Sequence, residues 1–164
     1  HGITRPSEVL RDLNRISFET LHKDRDQFVQ DGMDMALCAL DPKSMVLEYA
    51  GANCPLYLVR DGELLQFPPD KRPIGGFELG DLPFTDHRIQ LRKGDVIYIF
   101  SDGYADQFGG PNGKKFLYRR FRELLVQIHQ QPMDRQKYLL TDNLNQWRGA
   151  QEQVDDILVI GMRA

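Results

Sequence analysis

Three carboxylates give this 164-residue sequence its first chemical hint: Asp102, and the adjacent pair Asp155 and Asp156. Asp102 closes the apolar run Val96-Ile97-Tyr98-Ile99-Phe100, and Asp155-Asp156 opens the apolar run Ile157-Leu158-Val159-Ile160. If those runs are neighbouring antiparallel strands, the end of one meets the start of the other at a single sheet edge. Three carboxylates would then converge. Like charges held that close cannot all stay ionised and unpaired, so they need a proton, an arginine or a cation. Hard oxygen donors favour Mg²⁺ or Mn²⁺ over zinc, because no matching cysteine or histidine set accompanies them. Taken singly, each site is ordinary: Asp-Gly after a strand is turn chemistry, and Asp before a strand is a common boundary residue.

The elements that must position these residues follow from hydrophobic spacing. Val9, Leu10, Leu13, Ile16 and Leu21 recur every three to four residues behind Pro6-Ser7-Glu8, which predicts a helix from Pro6 to about His22. Lys23 to Gly32 is charged and reads as a loop. Met33 to Leu40 and Met45 to Ala50 read as two strands joined by a tight turn at Asp41-Pro42. A second hairpin joins Pro55–Arg60 to Glu63–Phe67 across Asp61-Gly62, a strong signal because both turn residues tolerate positive φ. Pro68 to Asp86 is rich in proline and glycine and reads as loop, and His87 to Leu91 as another strand. Val96–Phe100 shows no polar alternation, which predicts a central strand covered on both faces. Phe116 to Ile128 and Met133 to Trp147 are helices, the second ended near Gly149, and 157–160 is a last buried strand. Strands followed by helices argue for an α+β fold with a largely antiparallel sheet.

Composition excludes several function classes. Lys plus Arg number 21 against 24 for Asp plus Glu, a net charge of −3, so no basic surplus exists for nucleic acid. The apolar runs are short and broken by charge, which predicts no membrane contact from this segment. The start His1-Gly2-Ile3-Thr4-Arg5-Pro6 lacks an apolar stretch behind a basic head. Two cysteines, Cys38 and Cys54, cannot form a disulfide framework and suit buried thiols in a reducing cytoplasm. The basic residues Lys114-Lys115 and Arg119-Arg120-Arg122 read as a solvated helix face. His87 and His129 have no metal-spaced partner.

Several strings carry a resemblance. Phe100-Ser101-Asp102-Gly103-Tyr104-Ala105-Asp106 resembles the Ser-Asp-Gly motif of the metal-dependent serine/threonine phosphatases, the type 2C or PPM family. Gln153-Val154-Asp155-Asp156-Ile157 resembles their last motif. More narrowly, Asp31-Gly32-Met33-Asp34, Tyr49-Ala50-Gly51-Ala52-Asn53 with Pro55-Leu56-Tyr57, and Pro73-Ile74-Gly75 look like bacterial SpoIIE-type serine phosphatases. So do Asp106-Gln107-Phe108-Gly109-Gly110 and Gly113-Lys114-Lys115-Phe116. The likeness runs from roughly Pro6 to the end.

The resemblance implies a β-sandwich flanked by helices in α-β-β-α layers, with two Mn²⁺ or Mg²⁺ ions at one edge. Such ions, roughly 3.5–4 Å apart, activate a water that attacks a phosphoserine or phosphothreonine phosphorus in line. By matching positions, Asp102 and Asp155 are metal ligands. Asp106 matches a carboxylate that helps hold a further, weaker metal, and Asp156, standing where Asn is frequent, supports the ligands from behind. Gly109, Gly110 and Gly113 suit a mobile flap near that edge.

Two earlier family motifs are missing, one of which supplies the carboxylate that bridges both metals. The expectation is therefore a single partial phosphatase domain over residues 3–164, its C-terminal two-thirds, truncated on its N-terminal side, with His1-Gly2 foreign to it. As a fragment it is expected to be inactive, with weak or no metal binding. The resemblance implies a phosphoprotein substrate, often an anti-sigma-factor antagonist, and a parent in which a sensor or membrane domain often precedes the phosphatase; this domain itself is expected to be cytoplasmic. A bare apolar strand 96–100 would favour a homodimer. The alternative functional reading is a non-catalytic phosphatase-like domain that binds a regulatory protein. A third is an unrelated α+β domain with a structural cation.

Overall fold

The computed structural model describes residues 5–21, 32–76 and 82–164. The tail of the first helix at His22, the charged loop 23–31 with Asp31, and residues 77–81 of the Pro/Gly-rich stretch lie outside the described residues. The chain divides into two compact units, His1–Leu56 with Phe67–Arg92, and Tyr57–Gln66 with Lys93–Ala164.

In the first unit, helix α1 (Pro6–Leu21) precedes strands β1 (Met35–Asp41) and β2 (Val46–Ala52), and β5 (His87–Gln90) completes a sheet of order β1-β2-β5. Both pairings are antiparallel. The three-to-four-residue apolar spacing of α1 turns Leu10, fully buried, onto Ala50, Ala52, Ile74 and Phe84, with Leu13 half-buried beside it. The helix is tied at its start by Ser7, whose hydroxyl donates to Asp86 Oδ2 at 2.6 Å. The described part of the Pro/Gly-rich stretch is not shapeless: Ile74 bridges to Met33 and Asp70 to Ala52.

The second unit is built on a four-stranded sheet, β4-β3-β6-β9, from β3 (Leu56–Arg60), β4 (Glu63–Phe67), β6 (Val96–Phe100) and β9 (Val159–Arg163). Asp61 (φ 51°) and Gly62 (φ 83°) both take the left-handed conformation at the β3–β4 turn, as the Asp-Gly signal requires. β6 lies between β3 and β9. Its Val96, Tyr98 and Phe100 join Tyr57, Val59, Phe121, Leu125 and Ile128 in one buried cluster. Helices α3 (Tyr118–Ile128) and α4 (Met133–Arg148) supply the helical side of that cluster.

At this cluster Tyr98, Gln136 and Tyr104 have their polar ends paired. Tyr98 donates to Gln136 Oε1 at 2.6 Å, the Gln136 amide donates to the carbonyls of His129 and Gln131, and Tyr104 donates to Leu140 O at 2.9 Å. Burial pushes both phenols well above the usual tyrosine range. At the far end of β6, Arg60 grips Asp95 through two bonds of 2.9 and 2.6 Å. There Gly94 N donates to Ala164 O, and Ala164 N to Asp95 O.

Several boundaries differ from the sequence expectation. The last strand is Val159–Arg163 rather than 157–160, the Leu158 N–H being bonded to the Ser101 hydroxyl, and it is a sheet-edge strand with Ile160 exposed rather than a buried one. Phe116 precedes its helix instead of opening it: Phe116 N donates to Gln107 O and Leu117 N to Ala105 O, with Leu117 at φ 75°. Two further elements are too short to leave a periodic signal, helix α2 (Gly103–Asp106) and the hairpin of β7 (Phe108–Gly109) with β8 (Lys114–Lys115). Lys115 thus belongs to a strand and not to a helix face.

Candidate functional site

The Ser-Asp-Gly string sits where β6 stops. β6 and β9 pair antiparallel, with Phe100 opposite Val159 and Val96 opposite Arg163. The end of one strand therefore meets the start of the other, and Asp102 shares an edge with the segment that carries Asp155 and Asp156. Ser101 fastens the two. Its amide donates to Leu158 O at 3.0 Å, its hydroxyl donates to Asp156 O at 2.7 Å, and the same oxygen accepts from Leu158 N at 2.9 Å. Gly103 lets the segments touch. A Cβ there would overlap the Asp156 carbonyl oxygen and lie 3.1 Å from Ile157 Cγ1. The three residues of the string divide the work. The serine clasps, the aspartate stands at the edge, and the glycine permits the approach.

The carboxylates themselves are differently engaged. Asp155 Oδ1 accepts the backbone N–H of Asp156 at 2.7 Å, and Gln153 donates to Asp155 O at 2.8 Å, so the acidic pair is held in a local turn. Asp102 and Asp106 bracket helix α2, where Asp106 N donates to Asp102 O at 3.0 Å. One helical turn puts both on the same face. Asp106 is ion-paired: Lys115 Nζ lies 2.7 Å from its Oδ2.

Tested against a divalent-ion centre, the donors have suitable chemistry but not suitable convergence. Among the described residues, no group of three or more His, Cys, Asp or Glu side chains comes together in a way that could hold a metal ion. The expected meeting of three carboxylates is corrected accordingly. The strand pairing brings the backbones to one edge, while local bonds turn Asp155 onto its own backbone and Asp106 onto Lys115.

The glycine loop is anchored rather than free along half its length. Gly110 N donates to Trp147 O at 2.7 Å, and a Cβ on Gly110 would come within 2.6 Å of the indole ring. Gly109 lies against the Trp147 carbonyl, whereas Gly113, at φ 58°, has open space around it. Gln107, fully buried, donates from its amide to Phe108 O and to Glu152 O, and its backbone carbonyl accepts from the Trp147 indole. Gln107 therefore ties the loop to the segment that leads into Asp155. The sequence places Ser101 and Gly103 in the Ser-Asp-Gly string and Gln107 and Lys115 in other family-like strings, but assigns no individual role in the site to Ser101, Gly103, Gln107, Lys115 or Trp147.

Comparison with known proteins now bears on this geometry. The SiaA-PP2C domain of Pseudomonas aeruginosa is 27% identical with a TM-score of 0.85, covering 98% of this chain and 61% of that one. The RsbU and RsbW domains of Rv1364c from Mycobacterium tuberculosis give 24% identity and a TM-score of 0.71 over 99% of this chain and 42% of that one. The structure of the PP2C phosphatase domain with a regulatory fragment of SpoIIE from Bacillus subtilis gives 16% and 0.64, over 80% and 37%. The fold is that of the PP2C-type phosphatases, a mixed α+β architecture with antiparallel sheets. No curated protein gives a significant match. The family described as Stage II sporulation protein E (SpoIIE) matches residues 1–164, and the chain belongs to it. The chain spans less than two thirds of the length of these three solved structures. No helix among the described residues is long and apolar enough to cross a membrane.

Proposed function

We propose that this chain is part of a protein serine/threonine phosphatase domain that removes phosphate from phosphoserine or phosphothreonine on a regulatory protein. The observation that carries the reading is the Ser101 clasp. It binds the Ser-Asp-Gly string to the Asp155-Asp156 segment at one sheet edge, within a chain that matches the SpoIIE family along its whole length. The likeness to a PP2C domain at 27% identity supports the same class of chemistry.

Within this reading, Asp102 and Asp155 are the carboxylates that would hold an ion in the complete domain, and their hard oxygens suit Mn²⁺ or Mg²⁺. Asp156 contributes its backbone: its carbonyl anchors to Ser101 and its N–H orients Asp155. Two carboxylates without a third fall short of a two-ion centre. The 164-residue chain by itself is therefore proposed to hydrolyse little or no phosphoester, and the activity to belong to the protein in which it occurs.

The test uses both. The parent protein, given millimolar Mn²⁺ and a phosphoserine peptide, should turn over, and Asp102→Asn should abolish turnover. The isolated chain should leave para-nitrophenyl phosphate essentially untouched. Parent turnover that survives Asp102→Asn, or robust turnover by the isolated chain, would overturn the assignment.

A further inference from the structure

Asp106 and Lys115 form a pair that the proposed phosphatase chemistry does not use. Asp106 closes helix α2 one turn after Asp102, and so faces the same edge. The backbone fixes where Lys115 stands beside it. β8 pairs with β7, placing Lys115 opposite Phe108, and the next residues are bonded to Gln107 O and Ala105 O. Phe116, directly behind the lysine, is buried against Tyr104 and Trp147. The ammonium ends 2.7 Å from Asp106 Oδ2, with the aromatic ring of Phe108 6.0 Å away. The two side chains are 42% and 34% exposed, so neither is sealed from solvent and a dissolved ion can reach the pair.

We propose that Lys115 is a built-in counter-cation that takes the place of a metal ion at Asp106. The inference rests on the phosphatase reading for the meaning of the edge and disagrees with the role that the family resemblance gives to Asp106. The physical reason is charge. An oxygen that accepts from an ammonium has lent one of its lone pairs. A divalent cation approaching the same carboxylate also meets a fixed positive charge a few ångströms off, a like-charge contact that disfavours binding. Covalent tethering gives the lysine a high local concentration that a millimolar ion must exceed. The acidic edge therefore ends at Asp102 and Asp155, and Asp106 serves to hold the β7–β8 hairpin beside it.

The experiment counts Mn²⁺ ions bound to the parent protein by calorimetric titration and by loss of the free-ion electron paramagnetic signal. Asp106→Asn should leave the number of ions unchanged. Lys115→Gln should add one ion in the millimolar range, and the Lys115→Gln/Asp106→Asn double variant should lose that extra ion again. Lys115→Arg, which keeps the positive charge, should add none. Loss of an ion in Asp106→Asn alone, or no gain in Lys115→Gln, overturns the proposal. Asp102→Asn separates this from the underlying reading: if it leaves Mn²⁺ binding intact, the phosphatase metal edge itself is wrong, whatever Lys115 does.

Discussion

Replacing Ser101 by alanine should release the acidic segment without disturbing the core. The hydroxyl makes two bonds across the β6–β9 end, at 2.7 Å to Asp156 O and 2.9 Å from Leu158 N, while the Ser101 amide bond to Leu158 O would survive. Both lost bonds lie near solvent, so each takes the lower half of the usual net range, about 0.5–1 kcal/mol. The sum is about 1–2 kcal/mol. A tenfold change in an equilibrium needs about 1.4 kcal/mol, so the Leu158 amide should exchange with solvent about 5- to 30-fold faster. Global melting should fall by about 2–8 °C for a domain of this size. Hydrogen exchange read by NMR supplies the local measurement and circular dichroism the global one. Ser101→Thr, which keeps a hydroxyl, should restore most of the protection. If Leu158 exchanges at the wild-type rate in Ser101→Ala, the clasp does not hold the segment, and the account of the Ser-Asp-Gly string fails.

Three other outcomes are expected. Gly103→Ala should destabilise by about 1–3 kcal/mol, because its methyl must displace the Asp156 carbonyl; thermal unfolding of the variant measures this. Asp95→Ala should cost about 3 kcal/mol by leaving the Arg60 guanidinium, 19% exposed, without its carboxylate, and Arg60→Met/Asp95→Leu should recover most of the loss in urea titrations. Burial pushes the Cys38 thiol up to about 11 from 9.0, so its alkylation at pH 8 should run about a hundredfold slower than that of a free thiol and rise tenfold per pH unit. Because the folded value is the higher one, the matching contribution to stability is intact below pH 9 and is lost as pH rises from 9 towards about 11.

The legible parts of this molecule were those whose cause is local. Asp61-Gly62 had to turn, since both residues take positive φ, and the unalternated run Val96–Phe100 had to lie inside a sheet. The antiparallel meeting of β6 and β9 follows from two apolar runs of similar character, and the pairing is present. What could not be read were the consequences of contacts distant in sequence. Nothing in Leu158 says that the hydroxyl of Ser101, 57 residues before it, will take its N–H. Nothing in Lys114-Lys115 shows that backbone bonds from Phe116 and Leu117 will draw one of them to Asp106. Gly109-Gly110 reads as a supple loop until Trp147 is seen lying against it. Convergence of charge failed for a similar reason: strand order sets where a backbone goes, but Asp155 then accepts from its neighbour's N–H and Asp106 from Lys115.

The β6–β9 ladder has a consequence for how this sequence can vary in length. It is pinned at one end by Ser101 and at the other by Ala164, whose N–H and carbonyl close on Asp95 and Gly94. Between those pins, each residue of 159–163 faces a fixed partner in 96–100. With the Ala164 end held in register, adding or deleting one residue there would turn every preceding strand side chain to the opposite face and slide Asp155 away from Asp102. The run from Gly149 to Val154 belongs to no strand or helix, so a change in its length alters no register. Related chains that keep the acidic edge should differ in length within 149–151, before the Gln107 bond to Glu152 O, and stay invariant in length from Glu152 to Arg163. The ladder acts as a ruler, and the loop before it supplies the slack.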